Sequence, residues 1–315
     1  MNHIHKKAYI VVIILIITFM TAYPSFAVTR ISIVKSDASD AHSEAIASFI
    51  RSITGFGWSY TYNTITIKEG AESEITKQTK GANLILAMGT TAALATKKLV
   101  KDIPIVFCMV LNPVSSGIVK SMESSGGNIT GASLDIPIKT QFEYMKQMDS
   151  NLKSVGVIYN PKETGMIVNN AVEVAKRMNI NIIAKAITSE QEVPNALKYL
   201  SDKIDFLWSV ADVTVFGSQS IQYIILNTLK MRIPFMGLSS SFVKAGALMT
   251  ISCDYNDIGK QTAEIANRIL KGEDPKNIPI AVPRKTQLWI NLRIADQIGL
   301  RIPDYVIKSA DNIIK

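Results

Sequence analysis

SVGVIYNPKETG, Ser154 to Gly165, lies in the middle of the chain and decides how the rest is read. The apolar run SVGVIY passes into a polar turn and then a helical pattern. An earlier stretch, RISIVKSDASDAHSE from Arg30, has the same plan of strand, turn and helix. A chain that starts this plan twice is expected to build two α/β units, each with its own parallel sheet. Its 315 residues suffice for this, since single cores stop growing at roughly 250–300 residues.

On either side of Ser154, apolar runs alternate with helical patterns. RISIV leads to AHSEAIASFIRSI, ANLILAMG to TTAALATKKLV, and IPIVFCMV to NPVSSGIVKSM. Further on, DFLWSV, IPFMG and ALMTISCD alternate with SQSIQYIILNTLKM and DIGKQTAEIANRILKG. The strand runs are short, continuous and rich in Ile and Val, as befits strands buried on both faces. Thr90 stands at one helix entry, Asn256 and Asp257 precede another, and Gly272 closes that last helix. The turn cluster SSGGNITG, Ser124 to Gly131, is expected to carry the chain between lobes. No Gly-Lys-Ser/Thr follows it, so it is not read as a phosphate loop.

At the N-terminus Lys6 and Lys7 precede the apolar run AYIVVIILIITFM, with small residues at Ser25 and Ala27. This is the pattern of a secretory signal over residues 1–27, cleaved after Ala27; an uncleaved anchor is the other reading. Val28, not a Cys, stands directly after the cleavage site, so a lipid anchor on a cysteine is not expected. The mature chain is expected to be periplasmic or otherwise exported. The net charge of +8 includes Lys6 and Lys7, and the remainder forms no dense basic run. A solvated basic surface is expected, with no nucleic acid as partner.

The catalytic inventory is thin. His3 and His5 leave with the signal, and His42 falls on the polar face of a helical pattern, so a surface position is expected. Neither GxSxG nor HExxH occurs, and an enzyme is not expected. Cys108 and Cys253 lie in separate apolar strand patterns. Buried free thiols are expected, a disulfide being the alternative in an exported chain. Metal-ligand spacing is absent, and neither metal nor cofactor is expected.

Strand ends supply binding chemistry instead, since open parallel sheets bind ligands beyond the carboxyl ends of their strands. Thr90 and Thr91 offer hydroxyls and N–H groups to an anion, or cap a helix. Asn112 binds or holds a turn before Pro113. Asp212 and Asp254 accept hydrogen bonds from a ligand ammonium, or cap and brace loops. Tyr159, followed by Asn160, stacks on a ligand or packs in the core. Ser239, Ser240 and Ser241 bind a ligand or form a soluble loop.

Seven stretches in order, AMGTTAALATK, IPIVFCMVLNPVSSGIV, GGNITGAS, VGVIYNPKE, VADVTV, KAGALMTISCDYNDIGKQTAEIANRILKGEDPKNIPI and WINLRIADQIGLRIP, resemble the substrate-binding proteins of an ABC transporter family. That family contains tryptophan- and tyrosine-type amino-acid binders. The resemblance implies a two-lobed type I periplasmic-binding-protein fold. Lobe 1 would comprise residues 28–132 and 255–283, and lobe 2 residues 133–254 and 284–315. The chain would cross near Gly131, return near Asp254 and cross again near Pro283. Ligand contacts would fall at Thr90, Thr91, Asn112, Asn160, Asp212 and Asp254, with Thr214 in the same loop as Asp212. Three departures stand out. Asn112 replaces an Asp common in the family, Val213 replaces an Asn, and GLSSS lacks acids common in that loop. A lining poor in acids, less suited to an ammonium, is therefore expected.

The resulting expectation is a monomeric solute-binding protein that captures a small molecule, an amino acid or a related compound, and delivers it to a membrane permease. A sensor that presents its liganded form to a membrane receptor is the alternative.

Overall fold

The computed structural model describes residues 28–68, 70–217 and 219–315; the segment read as a signal lies outside the described residues. The first sheet contains β1 (Thr29–Lys35), β2 (Tyr60–Thr66), β3 (Leu84–Met88), β4 (Ile105–Val110) and β5 (Ile129–Ser133). All neighbours are parallel, in the order β2-β1-β3-β4-β5. Its first helices are α1 (Asp40–Gly55), α2 (Glu72–Thr79) and α3 (Thr90–Leu99).

The second sheet contains β6 (Ser154–Tyr159), β7 (Asn181–Ala186), β8 (Phe206–Trp208), β9 (Phe235–Met236), β10 (Met249–Cys253), β11 (Thr286–Asn291) and β12 (Asn312–Ile314). Its order is β12-β11-β10-β9-β8-β6-β7. The interspersed helices are α4 (Ile138–Met148), α5 (Pro161–Arg177), α6 (Val193–Leu200), α7 (Ser220–Lys230), α8 (Ser240–Ala245), α9 (Tyr255–Leu270), α10 (Leu292–Ile298) and α11 (Asp304–Ser309). One pair departs from the expected parallel pattern: β10 and β11 are antiparallel. The chain leaves the second sheet at the end of β10, passes through α9 on the first lobe, and re-enters beside the same strand end. It must then run the other way.

Both sheets are covered on two faces. β3 and β4 are buried along their whole length, which is why LILAM and IVFCMV carry no polar alternation. One face of the first sheet packs Phe49 and Ile53 of α1 with Ile258 and Ala266 of α9, and the other packs Ile75, Ala92 and Ala93. Helix α9 belongs with the first lobe because of its small residues. A Cβ at Gly259 would lie 2.2 Å from the Ala45 carbonyl oxygen, so only glycine lets α1 and α9 approach this closely.

Three segments cross between lobes, and hydrogen bonds join them. The first follows β5: Ser133 N–H donates to Ala281 O at 2.8 Å, and Ala281 N–H to Gly131 O at 2.9 Å. The second follows β10, where the Cys253 thiol lies 3.4 Å from Leu134 O. The third contacts the second through Asp254 N–H and Lys285 O at 3.3 Å. On the third, Arg284 reaches Asp257 at 3.0 Å and Glu264 at 2.8 Å, both on α9. The turn cluster Ser124–Gly131 does not itself cross. Its glycines precede or enter β5, and a Cβ at Gly131 would lie 2.1 Å from Phe107 O. That glycine serves strand packing, and the crossing begins after Ser133.

His42 corrects a second expectation: only 6 % of it is exposed. It sits in the first turn of α1, under the loops that end β1 and β3, with Nδ1 3.0 Å from Asp37. His42 is turned toward these strand-end loops, while Ser43, Glu44 and Arg51 of the same helix remain exposed. Helix starts also differ in detail. Asp254, not Asn256 or Asp257, caps α9, accepting from Asp257 N–H at 3.1 Å. The first turn of α3 is bonded from across the sheet, where Ser36 Oγ accepts from Ala92 N–H at 3.0 Å.

Cys108 on β4 and Cys253 on β10 are free and buried. Burial pushes both thiols up to about 12, helped at Cys253 by the Asp135 charge. Thiolate is the reactive form, so neither should react with alkylating agent in the folded protein. Intact mass should show no label on the native protein and two after denaturation without reductant. A native label would show that one of these strands opens.

Candidate functional site

A cavity of about 950 Å³ lies between the lobes at the strand ends. The first lobe contributes the loop after β4, including Asn112, and Glu44 of α1. Asn112 adopts φ +52°, a left-handed conformation that asparagine tolerates better than most residues. Its backbone N–H points at both oxygens of Asp135, at 2.9 and 3.0 Å. Asp135 stands on the first crossing, in the cavity wall. Burial raises its pKa above the ordinary carboxylate range, partly offset by the Asn112 N–H.

The second lobe contributes an apolar wall. Trp208, at the end of β8, lies edge-on to Phe142 with ring centres 5.3 Å apart, and donates its indole N–H to Gln141 at 2.7 Å. Both ends of that side chain are thus fixed. Met236, Ile167 and Trp289 extend the wall. The Trp289 indole nitrogen is buried without a hydrogen-bond partner. Ser239 caps the short helix α8 at the rim, its hydroxyl 2.6 Å from that of Ser241.

Of the residues singled out from sequence, Asn112, Ser239, Ser240 and Asp254 line this cavity. The others lie outside its lining. Thr90 and Thr91 open α3, half-buried and exposed. Tyr159 packs against the second-lobe core. Asn160, Asp212 and Thr214 form a network behind the strand ends. Asp212 is 2 % exposed and accepts from Asn160 N–H at 2.7 Å, Thr164 Oγ at 2.6 Å and Val215 N–H at 3.0 Å. Asn160 caps α5 through Lys162 N–H and donates to Thr214 Oγ at 2.9 Å.

The expected scarcity of acids does not hold. Glu44, Asp135 and Asp254 all line the cavity, and none of its lining residues is Lys, Arg or His. Two of these acids come from elements outside the loops on which the expectation rested. Asp135 follows the stretch GGNITGAS after one residue, and its place as an acid just beyond a strand end was the available signal. Trp208, inside DFLWSV, carried no such signal, because an apolar run does not mark which of its residues ends the strand.

The family model for the ABC transporter substrate binding protein matches residues 28–314. The chain belongs to this family. It is 34 % identical over 233 residues to a tyrosine-binding protein of Clostridioides difficile strain R20291, a match covering 73 % of this chain and 66 % of that protein. The chain thus spans just under two thirds of that relative's length. Among solved structures, the ligand-free, open form of a substrate binding protein with adhesive properties from Clostridium difficile aligns at TM-score 0.76 and 26 % identity, over 91 % of this chain and all of that one. An ABC domain from Streptococcus pneumonia in complex with L-Trp aligns at TM-score 0.67 and 22 % identity, over 91 % and 100 % of the two chains, a likeness of fold. As a family member, the chain is a two-lobed binding protein and not an enzyme. Among the described residues no helix is long and apolar enough to cross a membrane.

Proposed function

We propose that this chain is the exported, solute-receiving component of an ABC import system. It captures a small molecule with an amino group, an amino acid or a related compound, between its lobes and passes it to a membrane permease. The observation that carries this reading is the cavity of about 950 Å³, walled by both lobes, in a member of a substrate-binding family. The volume falls in the range of small-molecule pockets. A ligand that touches both walls favours the closed arrangement, because the open one loses half its contacts. Direct contact falls to Asn112, Ser239 and Asp254, with Asp135 and Trp208. Thr90, Thr91, Tyr159, Asn160, Asp212 and Thr214 act through the loops they hold. On this reading residues 1–27 are removed during export, and N-terminal sequencing of the secreted protein should begin at Val28; a retained segment before Ala27 would support the anchor instead.

Native mass spectrometry of the mature protein should reveal a retained small molecule. Thermal unfolding with amino acids, aromatic ones first, and related amines checks the same point. Ligand at a hundred times its dissociation constant should stabilise the fold by about 2.7 kcal/mol. Absence of both a retained molecule and any shift across the panel would sink the reading.

A further inference from the structure

We propose that the preferred ligand is an organic cation with an apolar or aromatic body and no free carboxylate, such as an aromatic amine or an amino-acid ester. The inference rests on the reading of the cleft as a solute site and narrows its substrate class. The full chain has 34 Lys and Arg against 26 Asp and Glu. A lining with Glu44, Asp135 and Asp254 and no Lys, Arg or His reverses that balance. Lys244, whose ammonium stands 5.5 Å from the Trp289 ring, is exposed and outside the lining.

Elsewhere the fold satisfies its buried acids. Asp257 is paired with Arg284, and Asp212 accepts three hydrogen bonds. The cavity acids are not satisfied in this way. Asp135 has the Asn112 N–H and the Ser133 hydroxyl beside it but no cation partner among the described residues. Asp254 uses one oxygen on Asp257 N–H, and Glu44 uses one on Asn256. Open lone pairs in a partly desolvated site suit an ammonium. All three acids lie on the first lobe or the crossings, while the second lobe offers Trp208, Met236 and Ile167. The cationic head therefore sits at the acids and the body against that wall. A zwitterion would carry its carboxylate into the same negative field. An oxygen on the body would give the buried Trp289 N–H an acceptor.

Titration calorimetry on the mature chain tests this with matched pairs: tryptamine against tryptophan, tyramine against tyrosine, and tryptophan methyl ester against both tryptophan forms. The amines and the ester should bind at least about ten-fold tighter than the amino acids, the effect of removing one repelled charge from a poorly screened site. Asp254→Asn keeps the helix cap, since Asn also caps. It should leave the unliganded melt in place and weaken the amine about ten-fold or more, with a smaller loss for the amino acid. Glu44→Gln, at an exposed position, gives a second reading should Asp254→Asn disturb the fold. Equal or tighter binding of the amino acids overturns the inference and leaves the solute-binding reading intact. No binding of any of these compounds also overturns it. In that case a molecule retained in native mass spectrometry keeps the broader reading, and an empty protein removes both.

Discussion

Gly259→Ala should lower the unfolding free energy by about 2–3 kcal/mol, whereas Gly165→Ala should raise it by up to about 1 kcal/mol. Both glycines lie inside helices, α9 and α5, where alanine is intrinsically better by about 1 kcal/mol. Surroundings decide the sign. At Gly165 the nearest atom to a new Cβ is Pro161 Cβ at 3.9 Å, an ordinary contact. At Gly259 the new atom would meet the Ala45 carbonyl oxygen at 2.2 Å and Ser48 Cβ at 3.0 Å. Backbone cannot rotate away, so α1 and α9 must separate along their whole contact. Ser48 would then lose its hydrogen bond to Asn256 O, at present 2.6 Å. At a few degrees per kcal/mol, the two variants should melt on opposite sides of the wild type. A Gly259→Ala variant as stable as wild type would mean that the helices are more loosely packed than described.

Asp212→Ala should cost about 4 kcal/mol in the absence of any ligand. The substitution strands two backbone N–H groups and the Thr164 hydroxyl in a site 2 % exposed. Each hydrogen bond to a charged group contributes about 1.5–3 kcal/mol, and some relaxation returns part of the loss. Urea unfolding of the apo protein is the measurement. Asp254→Ala provides the contrast: it loses a helix cap, worth about 1 kcal/mol, so its apo stability should fall far less. An Asp212→Ala protein with an unchanged apo midpoint and no ligand response would instead give Asp212 a direct place in the binding site.

These two aspartates also mark the limit of reading from sequence. Both end apolar strand runs, and a single sequence gives them the same signal. Where each points depends on what the neighbouring strand end supplies. Asp212 finds the Asn160 N–H and Thr164 hydroxyl beside it and turns inward, while Asp254 stands on a crossing with no such neighbours and borders the cleft. The alternation of strand and helix was legible because period and burial are local properties. So was the family, through motifs spread along the chain. His42 was misplaced for the opposite reason. A helical pattern tells which side is polar, but not whether water or a strand-end loop faces that side. Asp135 carried the same strand-end signal as Asp212 and Asp254, but its pairing with the Asn112 N–H across the sheet end is a tertiary contact that sequence does not show.

The three crossings are bonded to one another through Ser133 and Ala281, Cys253 and Leu134, and Asp254 and Lys285. They therefore bend as one ribbon and not as independent tethers. Shear and twist of one lobe against the other would break those bonds, whereas a rotation about the ribbon leaves them whole. Rotation about the ribbon is therefore the motion these bonds resist least, with Arg284 tying one end of it to α9. A ligand's escape and its entry then travel the same mechanical path, so whatever stiffens the ribbon slows both.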